Sequence, residues 1–327
     1  MTLTRTTEVF YTTDKGFAVP TIASIKSLRN WPSAKDLSIN VVTLGMNDAE
    51  FDAFKGLSSD LNINLHAVSS ERLSAFNDER FKRTHVPYST LARFLIPALV
   101  RNDELLDLLY IDGDTWFVQD PKPLLDIQAP KVGLLASEDQ SYFYMDDFGS
   151  TGRNVKSYFN DIAVDRTKGY FNAGVIKCRA TEWVRISADC LSFLRSNLSI
   201  CRYHDQSALN AIAGTTRTRL SPAWNFQTTY WGWNVSAIAE PKLLHFVGGA
   251  KPWMGLLNAW SGIYPEYSDV IRSRSHHLFP LRVWDPQDQI KLLNEERLSI
   301  LKNRSIYLHR TLHRRRQFRK LVATSIL

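Results

Sequence analysis

The stretch "LLDLLYIDGDTWFVQD", residues 105–120, places two carboxylates, Asp112 and Asp114, on either side of one glycine at the end of a near-continuous apolar run. Asp-Gly is a common hairpin signal, so a turn is one reading. A cation site is the other. In strand geometry residues two apart project to the same face, so both carboxylates could reach one ion. Gly113 would then let a ligand come close to the backbone. The run "LLDLLYID" (105–112) is too continuously apolar for an edge strand and suits the middle of a sheet. Ligands of open α/β sheets bind beyond the carboxyl ends of the strands, which is where this pair falls. Asp14, directly after "VFYTT", falls at such an end too.

The elements that must position these residues alternate. Strand-like segments are "EVFYTT" (8–13), "SINVVTLG" (38–45), "NINLHAV" (62–68), "LLDLLYID" (105–112), "KVGLLAS" (131–137) and "YFNAGVIKC" (170–178). Between them, helical spacing of apolar residues marks 20–30, 48–57, 88–100 (with Ser89 or Thr90 as a cap) and 180–196. This β-α-β-α order predicts an α/β fold with a mostly parallel sheet flanked by helices.

The totals narrow the class. With 327 residues, 44% of them hydrophobic, the chain can bury a large core. No run reaches the length a membrane helix needs, and the first residues lack a signal-peptide layout. Cys178, Cys190 and Cys201 show no CxxC spacing, which predicts reduced, partly buried thiols in a cytoplasmic protein rather than a disulfide frame or zinc site. The sequons at Asn197, Asn234 and Asn303 are then idle. Eight Lys/Arg and no acid lie in 301–327, so the net charge of +7 belongs to the tail and the rest of the chain is nearly neutral.

Four strings, "LLYIDGDTWFVQD", "YFNAGVIKC", "DQSALNA" and "LLHFVGGAKPW", in that order and with "VFYTTDKGFAVPTIASIKSL" near the start, resemble glycosyltransferase family 8 over roughly residues 8–260. The resemblance implies a GT-A (Rossmann-like) catalytic domain, 1–280, followed by a basic C-terminal helical extension, 281–327. It also implies a divalent metal and a UDP-sugar donor, with transfer that retains the anomeric configuration.

What the resemblance implies can be placed residue by residue. Asp112, Asp114 and His245 are expected to hold the metal. Two carboxylates with an imidazole suit Mn²⁺, with Mg²⁺ the alternative. Lys251 is expected on the diphosphate, with Gly248 and Gly249 giving backbone N–H groups access to its oxygens. Asp205 and Gln206 of "DQSALNA" are the expected catalytic pair near the donor sugar, with Asn172 and Ala173 as further sugar contacts. Arg93 is expected to reach toward the donor and Asp14 to lie on the nucleotide side. The chain departs from the family pattern two residues after Asp14, where Gly16 stands in place of an asparagine. Either Glu138 or Asp139 is a further sugar-facing acid.

The tail alternates basic residues with Ile306, Tyr307, Leu308, Leu312, Phe318, Leu321 and Val322, a composition that suits an anionic membrane surface and contains no nucleic-acid module. The Trp-rich 219–234 segment reads either as core or as an acceptor-sugar platform. The resulting expectation is a Mn²⁺-dependent hexosyltransferase moving galactose or glucose from a UDP-sugar to a surface glycan such as a lipopolysaccharide core, at the inner face of the cell membrane. Two rivals are a nucleotide-sugar-binding protein without turnover and a sugar nucleotidyltransferase. The second would need a Gly-rich basic loop that "TTDKGFAVP" lacks.

Overall fold

The structure, a computed structural model, describes residues 6–76, 88–99 and 106–327. Val100 and Leu105, the outer residues of two expected elements, and the first five residues lie outside that set. Strands β1 (Thr6–Thr13), β2 (Ile39–Leu44), β3 (Asn64–Val68), β4 (Leu106–Ile111), β6 (Leu134–Glu138), β7 (Phe171–Arg179) and β8 (Thr218–Arg219) form one sheet in the order β3-β2-β1-β4-β7-β6-β8. Pairs β2–β3, β1–β2, β1–β4 and β6–β8 are parallel, and β7 runs antiparallel to both its neighbours. The sheet is therefore mostly parallel, as the alternating pattern predicts.

Every residue of β2 and β4 is buried. Near-continuous apolar runs are what a strand covered on both faces requires, and the polar exception in β4, Asp107, accepts from the Ala129 N–H at 2.8 Å. The alternation of β1 sorts the core: Phe10 packs with Leu108, Tyr110 and Trp183 on one face, while Val9 and Tyr11 pack with Ile22, Phe54 and Leu109 on the other. Helix α1 (Ala18–Arg29) covers the second face and is buried almost all round, as a helix without a polar stripe must be. Helix α2 (Asp48–Leu57) begins with a full capping box between Asn47 and Glu50, which satisfies two end donors reciprocally.

Two elements differ from expectation. The segment Tyr88–Ala98 is 3₁₀ rather than α-helical. Pro97 has no N–H to give the carbonyl four residues earlier and its ring crowds it. That carbonyl, of Arg93, instead accepts from the Trp183 indole at 3.3 Å. The acidic pair, in turn, is not on a strand. β4 ends at Ile111, β5 (Thr115–Phe117) belongs to a second sheet in which β10 (Leu243–His245) lies between it and β9 (Phe226–Gln227), and residues 112–114 are the bend where the chain crosses between sheets. Neither a hairpin nor an extended pair describes it.

The small sheet, completed by β9 (Phe226–Gln227) and β10 (Leu243–His245), carries an aromatic core that includes Trp116, Phe143, Tyr230, Trp233, Phe246 and Trp260. Tyr230 and Trp233 of the Trp-rich segment are buried there, and Trp224 is buried in the core that Val9 and Tyr11 enter, so these rings are core. Helices α9 (Pro286–Arg304) and α10 (Leu308–Thr324) close the chain. Phe318 and Leu321 of α10 enter the same aromatic core, and Ile326 adds a parallel bridge to Leu220. The three cysteines are unpaired and buried. Among the described residues no helix is long and apolar enough to cross a membrane.

Candidate active site

A cavity of about 510 Å³ opens at the carboxyl ends of β1 and β4. Eight of the expected site residues line it: Asp14, Arg93, Asp112, Gly113, Asp114, Gly248, Gly249 and Lys251. His245, Asn172, Ala173, Asp205 and Gln206 do not line it. They form a hydrogen-bonded network, buried except at half-buried Gln206, joined to it through Arg93 and the acidic pair.

Asp112, Asp114 and His245 converge. One ligand atom from each lies within 4.8 Å of the others. His245 Nε2 is 3.3 Å from Asp114 Oδ1 and 3.8 Å from Asp112 Oδ2. Three strands of sequence meet here for backbone reasons. The Asp112 N–H donates to Gly174 C=O at 2.8 Å, and the Phe246 N–H donates to Asp114 C=O at 2.9 Å. The donor set, two carboxylates and an imidazole, fits a divalent transition ion. The shape fits as well: a Cβ on Gly174 would stand 2.3 Å from His245 Cε1 and 2.8 Å from Asp112 Oδ2, so only glycine leaves the ligands this close.

The two carboxylates are held differently. Asp112 Oδ1 accepts from Arg93 Nη2 at 2.9 Å and from the Tyr110 hydroxyl at 2.8 Å, which leaves Oδ2 facing His245. Asp114 Oδ2 accepts from Lys251 Nζ at 2.6 Å, and the same ammonium donates to Phe246 C=O at 2.5 Å. Burial alone would raise the Asp114 carboxyl pKa. The Lys251 ammonium and His245 outweigh it and hold the group well below the usual carboxylate range. Gly113 is required by packing, since a Cβ there would meet Thr21 Oγ1 of α1 at 2.2 Å. Gly248 has φ +86 with open space around it, so backbone conformation rather than crowding selects glycine there.

Arg93 is 2% exposed and its guanidinium is fully engaged. Besides Asp112 it meets Asp205 Oδ2 at 3.1 Å, donates to Ala173 C=O at 2.7 Å and to Thr90 C=O at 3.1 Å, and stacks on Tyr110 at 4.3 Å. Burial pushes the Asp205 pKa up, and the Arg93 charge only partly offsets it. Gln206, in helix α7 (His204–Ala213), accepts from the Ala173 N–H at 3.0 Å and donates to Asp139 Oδ2 at 3.3 Å.

Glu138 and Asp139 have different surroundings. Glu138 is fully buried and bound by Arg217 and Arg219, both at 2.8 Å. Asp139 instead turns into the network, accepting from Asn172 Nδ2 at 2.9 Å and capping a short helix, α4 (Gln140–Tyr144), through Ser141 N–H. On the other side of the cavity, Asp14 Oδ1 accepts from the N–H groups of Gly16 (2.8 Å) and Phe17 (3.1 Å). A Cβ on Gly16 would lie 3.3 Å from that oxygen, a close contact within this turn.

Sequence reasoning missed Asn225 and Gln227. Both are fully buried polar residues inside "PAWNFQ", and both bond into the site. A polar residue wedged between aromatic ones was the available signal, because such groups are buried only when paired. Phe17 and Trp253, edge to face at 5.4 Å, also line the cavity, together with Met254 and Arg282.

A family model, Glycosyl transferase family 8, matches residues 8–256. General stress protein A of Bacillus subtilis is 27% identical over 214 residues, 60% of this chain and 65% of that protein, so the chain spans just under two thirds of that relative's length. The lipopolysaccharide 1,3-galactosyltransferase of Salmonella typhimurium is 24% identical over 281 residues, covering 82% of this chain and 77% of that one. Among solved structures, the galactosyltransferase LgtC in complex with donor and acceptor sugar analogs superimposes with a TM-score of 0.66 at 20% identity, covering 87% of this chain and 99% of that one. At such identity the likeness establishes a shared fold.

Proposed function

This chain belongs to glycosyltransferase family 8 and has its GT-A fold, and on that premise we propose that it transfers a hexose, galactose or glucose, from a UDP-sugar to a hydroxyl of a surface glycan such as a lipopolysaccharide core, with Mn²⁺ bound. The observation that carries this reading is the convergence of Asp112, Asp114 and His245 at the wall of a cavity that also presents Lys251. When bound, the ion would supply Lewis-acid neutralisation of the departing diphosphate. Lys251, now on Asp114, is within reach to turn its charge to a phosphate oxygen. Asp14, Phe17 and Trp253 form the nucleotide end.

Given the retention that the family resemblance implies, the state of the sugar-side carboxylates favours one route to it. Asp205 is bound to Arg93, and both oxygens of Asp139 accept hydrogen bonds. Neither is free to act as a nucleophile, and the Gln206 amide is a poor one. This supports front-face transfer, in which the acceptor oxygen bonds to the anomeric carbon as its bond to the diphosphate breaks, on the same side. The hydroxyl proton passes to the departing diphosphate.

The acceptor side of the proposal is membrane-linked. Leu301, Ile306, Leu308 and Leu312 are exposed around the α9–α10 turn, beside Lys302, Arg304, Arg310, Arg315 and Arg316. Each basic residue near an anionic bilayer contributes about 1 kcal/mol, so this surface suits the cytoplasmic leaflet where a lipid-linked glycan is built.

The test is hydrolysis of UDP-hexose without acceptor. Turnover should need Mn²⁺ and should vanish in a folded Asp114→Ala variant. Tight UDP binding with no turnover on any donor would favour the binding-protein reading instead.

A further inference from the structure

The buried segment Asn225–Gln227 bonds to two parts of the site at once. Asn225 Oδ1 lies 2.8 Å from His245 Nδ1, and Asn225 Nδ2 lies 2.9 Å from Asn172 Oδ1. Two residues on, Gln227 accepts from the Gln140 N–H at 2.9 Å and donates to Glu138 C=O at 2.8 Å, gripping the turn that carries Asp139.

Hydrogen-bond polarity along this network is forced from its far end. The Gly174 N–H can only donate, and it meets Asn172 Oδ1 at 2.9 Å. The Asp139 carboxylate accepts, and it meets Asn172 Nδ2. The Asn172 amide is therefore oriented without choice. Asn225 must donate to Asn172 Oδ1, so its NH₂ faces Asn172 and its oxygen faces the imidazole. An oxygen at that position accepts only from a protonated Nδ1. In neutral His245 the lone pair is then on Nε2, the nitrogen that faces Asp112 and Asp114.

We propose that Asn225 is a positioning residue of the metal centre, fixing the tautomer and ring orientation of His245 while tying that ligand to Asn172 and, through Asp139, to Gln206. Outer partners of metal-bound histidines commonly do the first of these; the second makes one asparagine common to the ion side and the sugar side of the site. The inference rests on the proposed function and specifies how its two halves are held in register.

The test uses the full chain, Mn²⁺ alone as the first probe and UDP-hexose as the second. Free Mn²⁺ is followed by electron paramagnetic resonance, and folding by thermal denaturation. Asn225→Ala removes both bonds and should weaken Mn²⁺ binding about 10–100-fold in the absence of any donor. Asn225→Asp keeps an oxygen for the Nδ1 proton but loses the donor to Asn172. It should hold Mn²⁺ affinity within about threefold, on the same scale, while the KM for UDP-hexose rises about tenfold or more. If Asn225→Ala does not fold, that split in Asn225→Asp decides the matter. A folded Asn225→Ala with wild-type Mn²⁺ affinity, or an Asn225→Asp that loses affinity without a change in KM, overturns the inference alone. A wild-type protein that binds no Mn²⁺ overturns the parent reading and this inference with it.

Discussion

Gly174 lies directly against His245: a methyl group on the glycine would sit 2.3 Å from the imidazole Cε1 and 2.7 Å from Nδ1. Real atoms do not approach so closely, so Gly174→Ala must push the ring away from the acidic pair. Overpacking of this kind costs about 1–3 kcal/mol. The melting temperature and the Mn²⁺ affinity should fall together. Gly249→Ala, where nothing lies within 4 Å of the added carbon, should leave the melting temperature in place.

Arg93 makes a second test, because lysine cannot reproduce its forked geometry. Arg93→Lys would leave some of Asp112, Asp205 and Ala173 C=O without a donor. Breaking buried ion pairs one-sidedly costs about 3–5 kcal/mol. Calorimetry should show a clear loss of stability, and donor hydrolysis should fall with it.

Glu138 and Asp139 should separate by phenotype. Glu138→Gln leaves Arg217 and Arg219 facing a neutral group in a buried pocket, and should act mainly on the melting temperature. Asp139→Asn sets an amide against the N–H donors of Asn172, Gln206 and Ser141. It should lower kcat/KM at least about tenfold, the order expected when a positioning bond in a site is lost.

The last helix should divide by face. Phe318→Ala removes a fully buried ring packed on Phe143 and Tyr230 and should destabilise by about 3–5 kcal/mol. Leu312→Ala, at an exposed position, should stay within about 0.5 kcal/mol of wild type. Combined with Arg316→Glu it should weaken sedimentation with phosphatidylglycerol vesicles, whereas phosphatidylcholine vesicles should sediment little of either protein. Equal binding to both vesicle types would count against the membrane surface.

Much of this arrangement is readable in the chain itself. Near-continuous apolar runs such as 106–111 declare central strands, and the acidic pair, His245 and Lys251 lie together in the structure. What stayed hidden has physical causes. Pro97 converts an apparent α-helix into 3₁₀ by depriving Arg93 C=O of its partner. The strands of the small sheet are two or three residues long, too short to show a period. Asn225 was masked by its aromatic neighbours, because its role lies in bonds to residues 20 and 53 positions away rather than in local pattern.

The central claim is that one ion is shared by a bend between two sheets and the end of a short strand. Crystals soaked with Mn²⁺ and UDP, measured at the manganese edge, should give a single strong anomalous peak bounded by Asp112, Asp114 and His245 Nε2, with diphosphate oxygens on its open side. A peak that omits His245, or UDP bound away from the pair at 112 and 114, would contradict it.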